Sequence, residues 1–320
     1  MKRISWVDNS KCIACILVVL GHLLQGLTQA GILDSSLIMY GYFEKTIYYF
    51  HVPLFFVCSG YLHQDKIKNN SYNHKEYLLR KIVNLGIPYL LFSCLTWILK
   101  RLFENSVNDS IKESLISCLL INPLQHFWFL YCLLIIFILI KQANSKKEMY
   151  LYLFIALVLK IVGDCGLMNA QMINKLFANI IWFVLGMFLS FFKPFDYINQ
   201  KRKIGCTLLL LFVIASICLI SVSNLIVNFF MGILGCLSVI MLCYEDKTSF
   251  CMSKYVFQIY LLHTIFAAGI RAILIRFTSN FIIHLTMGAF MSFVGPIVTD
   301  FCLKKFKIDI SNIYKTIFKC

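Results

Sequence analysis

Asp8-Asn9-Ser10-Lys11-Cys12-Ile13-Ala14-Cys15-Ile16-Leu17-Val18-Val19-Leu20-Gly21-His22 opens on charged and polar side chains, turns apolar, and then carries an imidazole into the run. From Cys12 to Leu24 only Gly21 and His22 break the apolar sequence, so lipid or other helices must solvate this segment. At roughly 100° per residue, Lys11 and His22 stand about three turns apart on one line, and Asp8 falls within about 40° of it. The three ionisable groups share a helix face. An ionisable residue at membrane depth is costly and turns toward a bundle interior or a watery cavity, which makes His22 the first candidate for function. A histidine buried only for packing is the bland alternative, and the aligned Asp8 and Lys11 weigh against it.

Working outward, the whole chain has the same character. Of 320 residues 60% are hydrophobic and 14% charged, and the mean hydropathy of +0.78 lies far above that of soluble globular domains. The sequence reads as an all-α polytopic membrane protein forming a single membrane domain over 1–320, with no separate soluble domain and no low-complexity linker. Its formal charge of +15 would point to nucleic acid in a soluble protein. Here the lysines sit in short loops between apolar spans, as topology signals, and no nucleic-acid partner is expected. The fourteen cysteines form no paired framework and no metal-ligand spacing; Cys12-x-x-Cys15 reads as small hydrophobes on a helix, and no metal is expected. Met1-Lys2-Arg3 before an apolar run imitates a signal peptide, but His22 within that run favours a retained first span.

About twenty apolar residues cross a bilayer, and ten such windows are expected: 12–31, 42–62, 82–103, 126–141, 149–166, 176–193, 204–221, 225–244, 254–275 and 281–303. With a cytoplasmic N-terminus, 21 basic residues fall on the N-terminal side and eight on the other, leaving Lys11 at the membrane edge. Both termini are therefore expected in the cytoplasm. The eight exceptions include Lys100, Arg271 and Arg276. The longest external loop, 104–125, is expected over the outer mouth of a cavity.

Three histidines on three spans, His22, His51 and His263, are expected near mid-membrane, and that coincidence favours a buried reaction or transport site. Pro53, two residues after His51, frees the Tyr49 carbonyl and predicts a kink, with His51 either its hydrogen-bond partner or a chemical group. Arg80 and Lys81 lie at the cytoplasmic interface, where cations suit the phosphates of a cytosolic donor as well as the positive-inside rule. His126 and Trp128 open the fourth span at the outer face; Trp128 suits an interfacial girdle, and His126 an acceptor on that side. Tyr260 shares the ninth span with His263. Asn224 and Asn228 could line a polar face, or Asn224 could simply end a turn.

The sequence resembles the membrane acyltransferase family 3 through Trp6-Val7-Asp8-x-x-Lys11 with Gly21-His22, through Phe50-His51-Val52-Pro53-Leu54-Phe55-Phe56 with Ser59-Gly60, through Gly86-Ile87-Pro88-Tyr89, through Trp128-Phe129-Leu130, and through Ile259-Tyr260-Leu261-Leu262-His263. The order and rough spacing of these pieces match. The resemblance implies a ten-span enzyme of the bacterial inner membrane, with the lipid bilayer as its medium. It would move an acetyl or similar group from a cytosolic coenzyme A thioester, acetyl-CoA, to a hydroxyl of a cell-surface glycan or its lipid-linked precursor. It also implies that His22 is central to the chemistry and that Lys11 assists. The chain departs from the family pattern where many members carry arginine at the Lys11 position, and in a degraded basic motif around Arg80, Lys81 and Asn84. The resemblance is to stand-alone members, in which no hydrolase-like domain is expected after the tenth span.

Transfer of an acyl group to an alcohol needs a base for the hydroxyl and a stabiliser for the developing oxyanion. The expected assignment is His22 as base or transient acyl carrier, Lys11 with Asp8 at the donor, and Arg80 with Lys81 on coenzyme A phosphates. His51, His263, Tyr260, Ser59, Trp128 and His126 are expected to shape the site or receive the acceptor. The rival class is a transporter or flippase for a small polar solute, with the histidines as a proton relay. A homodimer is left open.

Overall fold

The computed structural model describes residues 3–66, 73–104, 108, 110–124, 126–222 and 224–314. It is helical throughout, with no strand among the described residues. In chain order the helices are α1 (Ser5–Gln29), α2 (Ile38–Tyr48), α3 (His51–Asp65), α4 (His74–Lys81), α5 (Ile87–Leu102), α6 (Leu115–Leu120), α7 (Trp128–Leu139), α8 (Lys146–Asp164), α9 (Gln171–Phe192), α10 (Lys201–Cys218), α11 (Leu225–Cys243), α12 (Val256–Leu274) and α13 (Phe281–Lys305).

Six runs among the described residues are long and apolar enough to cross a membrane: Ser5–Gln29, His74–Leu102, Gln171–Phe192, Leu225–Cys243, Cys251–Leu274 and Phe281–Lys305. The chain is a multi-pass membrane protein. The other expected windows fall on helices of a different kind. Window 42–62 is broken between α2 and α3, and α7 is apolar but short. The charges Lys146-Lys147-Glu148 begin α8, and Lys201-Arg202-Lys203 begin α10.

The residues fall into two compact units, one of Met1–Ala14, Gly41–Asn73 and Ile138–Ser253, the other of Cys15–Tyr40, His74–Phe137 and Lys254–Cys320. They interleave along the sequence, and α1, α2 and α7 each hold residues of both.

In the first unit α3 packs along α9, α8 along α9, and α10 along α11. The α3–α9 seam is set by two glycines. A Cβ at Gly60 would stand 1.9 Å from the Phe183 carbonyl oxygen, and one at Gly186 would stand 1.9 Å from that of Val57. Backbone therefore touches backbone, the close approach that small residues permit between helices in lipid. The kink expected at Pro53 is instead a break at Tyr49-Phe50. Because α3 starts at His51, Pro53 occupies its first turn, where a missing N–H costs nothing. His51 closes the break by bonding through Nδ1 to the Ile47 carbonyl at 2.7 Å, an oxygen near the end of α2 that also accepts from the Phe50 N–H at 3.2 Å.

Asn9, fully buried, is the other organiser of this unit. Its Nδ2 donates to Asp246 Oδ2 (2.7 Å) and to the Thr248 carbonyl (3.1 Å), and its Oδ1 accepts from the Phe250 N–H (2.7 Å). One amide thus uses its donors and acceptor to hold the 246–250 linker to the first turns of α1. Asn224 proves to be the N-cap of α11, its Oδ1 accepting from the Ile226 N–H at 2.8 Å.

In the second unit α12 packs on α13. The Ser292 hydroxyl donates to the His263 carbonyl at 3.4 Å across that seam. Asp300, buried in α13, accepts from Gln258 Nε2 (2.9 Å) and Lys304 Nζ (2.6 Å), so its charge is compensated. A π-helical turn, Ile82–Gly86, joins α4 to α5 and lies just before Pro88, whose ring cannot enter an ordinary hydrogen-bond ladder. The Tyr89 hydroxyl donates to the Leu119 carbonyl at 2.7 Å and fastens α6 to α5.

Candidate active site

His22, His126 and His263 converge within the second unit. The ring centroids of His22 and His263 are 5.4 Å apart, those of His126 and His263 5.4 Å, and those of His22 and His126 6.0 Å. The rings come from three separate elements: the middle of α1, the residue two places before α7, and the middle of α12.

His126 and His263 are each held by partners of their own. Gln25 lies three residues after His22 on the same helix face and lines the same cavity. His126 meets the Thr264 hydroxyl at 3.5 Å through Nε2. Its carbonyl accepts from the Tyr260 hydroxyl. His263 Nδ1 stands 2.9 Å from the carbonyl oxygens of both Ile259 and Tyr260. Carbonyls only accept, so Nδ1 carries the proton and Nε2 of the neutral ring holds a lone pair. That Nε2 is buried and has no hydrogen-bond partner among the described residues.

His22 and His126 line a cavity of about 470 Å³ contained in this unit, a volume within the range of small-molecule sites. Its wall comes from the second half of α1, the end of α5, the 103–126 segment and the second half of α12. Of the loop 104–125, Asn108 and Leu124 line the wall; its residues 105–107, 109 and 125 lie outside the described residues. Thr96, buried, adds a hydroxyl that has no hydrogen-bond partner among the described residues. Among the described residues no group of three His, Cys, Asp or Glu is arranged to hold a metal ion.

The remaining sequence candidates are distributed over both units. Tyr260 belongs to the cluster, its ring centroid 6.0 Å from that of His126. Trp128 is half-buried at the start of α7 and does not line the cavity. His51 and Ser59 are buried in the first unit, so the histidine expected third in the group is replaced by His126. Lys11 and Asp8 also belong to the first unit, within electrostatic reach of one another. Asp8 pairs with Arg3 Nε at 3.1 Å and accepts from the Ser249 hydroxyl at 3.2 Å. Arg80 and Lys81 lie in the second unit, away from the cavity wall. Arg80 pairs with Glu76 at 2.5 Å and stacks over Tyr314; Lys81 lies 4.4 Å from the Phe137 ring centroid.

Reading the sequence alone overlooked Gln25, Thr96, Lys100, Asn108 and Arg271, all of which line the cavity. One signal was present. Lys100, Arg271 and Arg276 belong to the minority of basic residues on the side where few are expected.

A family model described as an acyltransferase domain matches residues 4–301. The nodulation protein NolL of Mesorhizobium japonicum (strain LMG 29417 / CECT 9101 / MAFF 303099) is 31% identical over 149 residues, 47% of this chain. The matched part spans 38% of that relative's length. No solved structure matches the chain. With the model covering nearly every described helix, the chain belongs to the membrane acyltransferase family 3.

Proposed function

We propose that the chain is an integral-membrane O-acetyltransferase, moving an acetyl group from cytosolic acetyl-CoA to a hydroxyl of a cell-surface glycan or its lipid-linked precursor. Its setting in this reading is a bacterial inner membrane, crossed ten times, with both termini in the cytoplasm. The family supports acyl transfer, and the bacterial relative supports the setting. The observation that carries the reading is the convergence of three histidine rings, two of which, His22 and His126, line a cavity large enough for a saccharide unit.

In this mechanism neutral His22 takes the proton of the acceptor hydroxyl as its oxygen attacks the thioester carbonyl. The new C–O bond forms, the C–S bond breaks, and the imidazolium returns the proton to the departing sulfur. His263 and His126 pack against the base and fix its orientation. Lys11, with Asp8, is assigned to the donor, and Arg80 with Lys81 to coenzyme A phosphates. Surface ion pairs such as Arg80–Glu76 contribute little, so a phosphate can replace the carboxylate at small cost.

The test is transfer of labelled acetyl from acetyl-CoA to glycan acceptors by the full-length protein in membranes. His22→Ala is expected to lower transfer by about 10²- to 10⁴-fold, the usual worth of a general base, with expression and membrane insertion unchanged. Full activity in that variant removes His22 from the role, and a protein that moves solute without consuming thioester is a transporter.

A further inference from the structure

Asn84 sits in the π-helical turn Ile82–Gly86, an irregularity of the kind that recurs at functional sites, and uses both ends of its amide on a segment late in the chain. Its Oδ1 accepts from the Tyr314 N–H at 2.7 Å, and its Nδ2 donates to Asn312 Oδ1 at 3.5 Å. Four residues before Asn84 stands Arg80, whose Cζ lies over the Tyr314 ring, 5.2 Å from its centroid. All of these residues belong to the second unit. We propose that Tyr314 is a positioning residue for the donor: its ring holds the Arg80 guanidinium where it receives a phosphate of coenzyme A. The inference rests on the assignment of Arg80 to those phosphates above.

A blander reading is that Arg80 only marks topology. That rule asks for positive charge near the end of a span and says nothing of a ring over it. A second bland reading makes the contact a mere anchor for the 310–314 segment. Ile310 and Ile313 are buried and already anchor it, whereas Tyr314 and Asn84 are half-buried. The guanidinium, by contrast, needs a support. The Arg80 and Glu76 side chains are 53% and 46% exposed, and an arginine at such a surface gives up much rotamer freedom when it fixes a ligand. A ring against the guanidinium restricts that freedom beforehand, which is how preorganisation raises affinity. It also leaves N–H groups to donate: Nη2 reaches Glu76 at 2.5 Å, and the planar fork suits a phosphate. Asn84 sets the ring by holding the backbone N–H of the residue that carries it.

The test measures, by calorimetry on the full-length protein in detergent, the binding of coenzyme A and of pantetheine, which lacks the nucleotide and every phosphate; acetyl transfer to glycan acceptors in membranes supplies kcat at saturating acetyl-CoA. Tyr314→Leu keeps apolar bulk and removes the ring. It is expected to weaken coenzyme A by about two- to fivefold, as an exposed cation–π contact supplies, with pantetheine binding and kcat unchanged. Tyr314→Phe is expected to restore coenzyme A binding. Arg80→Gln is expected to weaken coenzyme A by about tenfold or more, as one charge-assisted hydrogen bond supplies, and adding Tyr314→Leu to it is expected to cost nothing further, because the ring acts through the guanidinium. Unchanged coenzyme A affinity in Tyr314→Leu, or in Arg80→Gln, overturns the inference. Additive losses in the double variant, or an equal loss toward pantetheine, make the contact a packing one and also overturn it; acetyl transfer that persists in either case leaves the proposed function standing. The expected pattern of coenzyme A binding in a protein that transfers no acetyl keeps the positioning role and ends the acyl-transfer reading.

Discussion

At the scale of single residues, His263 is where position and chemistry can be pulled apart. Its Nδ1–H is committed to the carbonyls of Ile259 and Tyr260, while its Nε2 is buried without a partner among the described residues. An unpartnered buried acceptor costs about 1–3 kcal/mol, so a purely structural histidine here would be poorly chosen. Asparagine reproduces the Nδ1 donor and lacks the Nε2 atom; glutamine reaches further and can present an amide near the Nε2 position. His263→Asn is therefore expected to keep thermal stability close to the unaltered protein while transfer falls by about 100-fold or more, the lower range for loss of a group acting on proton transfer. Activity retained by His263→Asn and lost by His263→Gln would make the helix-carbonyl bond the whole role. His126 shows what sequence spacing hides. Placed at the mouth of its span by counting apolar residues, it is buried within 6.0 Å of His22, because the chain enters α7 through a packed turn and not through an exposed loop. The turn is defined by contacts far away in the chain, including the Tyr260 hydroxyl on the His126 carbonyl, and local pattern carries none of them.

The elements themselves were legible in proportion to their apolar length. Windows 12–31, 176–193, 225–244, 254–275 and 281–303 coincide with long apolar helices because lipid leaves a helix no other way to satisfy its backbone. Where proline intervenes, sequence fixed the place but not the outcome: Pro53 accompanies a break and Pro88 a π-helical turn, and the choice depends on what packs alongside. The α3–α9 seam offers the sharpest element-scale test. Relief of a Cβ at Gly60 would require moving the Phe183 carbonyl, which is backbone and cannot rotate aside. Gly60→Ala is expected to destabilise the protein by more than the roughly 1–3 kcal/mol typical of overpacking, with Gly186→Ala comparable, read as thermal unfolding in detergent. Gly41→Ala is the control. Nothing lies within 4 Å of a Cβ at that position in α2, and alanine there is expected to be neutral or stabilising by up to about 1 kcal/mol.

At the scale of the whole molecule, charge distribution is the feature that composition made plainest and that regular structure leaves open. Among the described residues six helical runs meet the length and composition needed to cross a membrane, and the ten-span topology depends on how the charged helices α8 and α10 are placed. Two cysteines bear on α10. Cys165 caps the end of α8 and Cys251 opens the segment before α12; both are exposed thiols. Between them run α9, α10 and α11, of which α9 and α11 are long and apolar while α10 begins Lys201-Arg202-Lys203. If all three helices cross, the two thiols lie on opposite faces; if α10 lies along the surface, they share one. With ten spans and cytoplasmic termini, a membrane-impermeant maleimide applied to intact cells is expected to modify Cys165, and Cys251 only after the membrane is opened, as read by mass spectrometry of the labelled peptides. Modification of both thiols from outside removes α10 from the spans, and modification of Cys251 alone inverts the orientation. The lysines and arginine that begin α10 argue for the first outcome, since three cations at one end of an apolar stretch hold that end in the cytoplasm while the rest enters the bilayer.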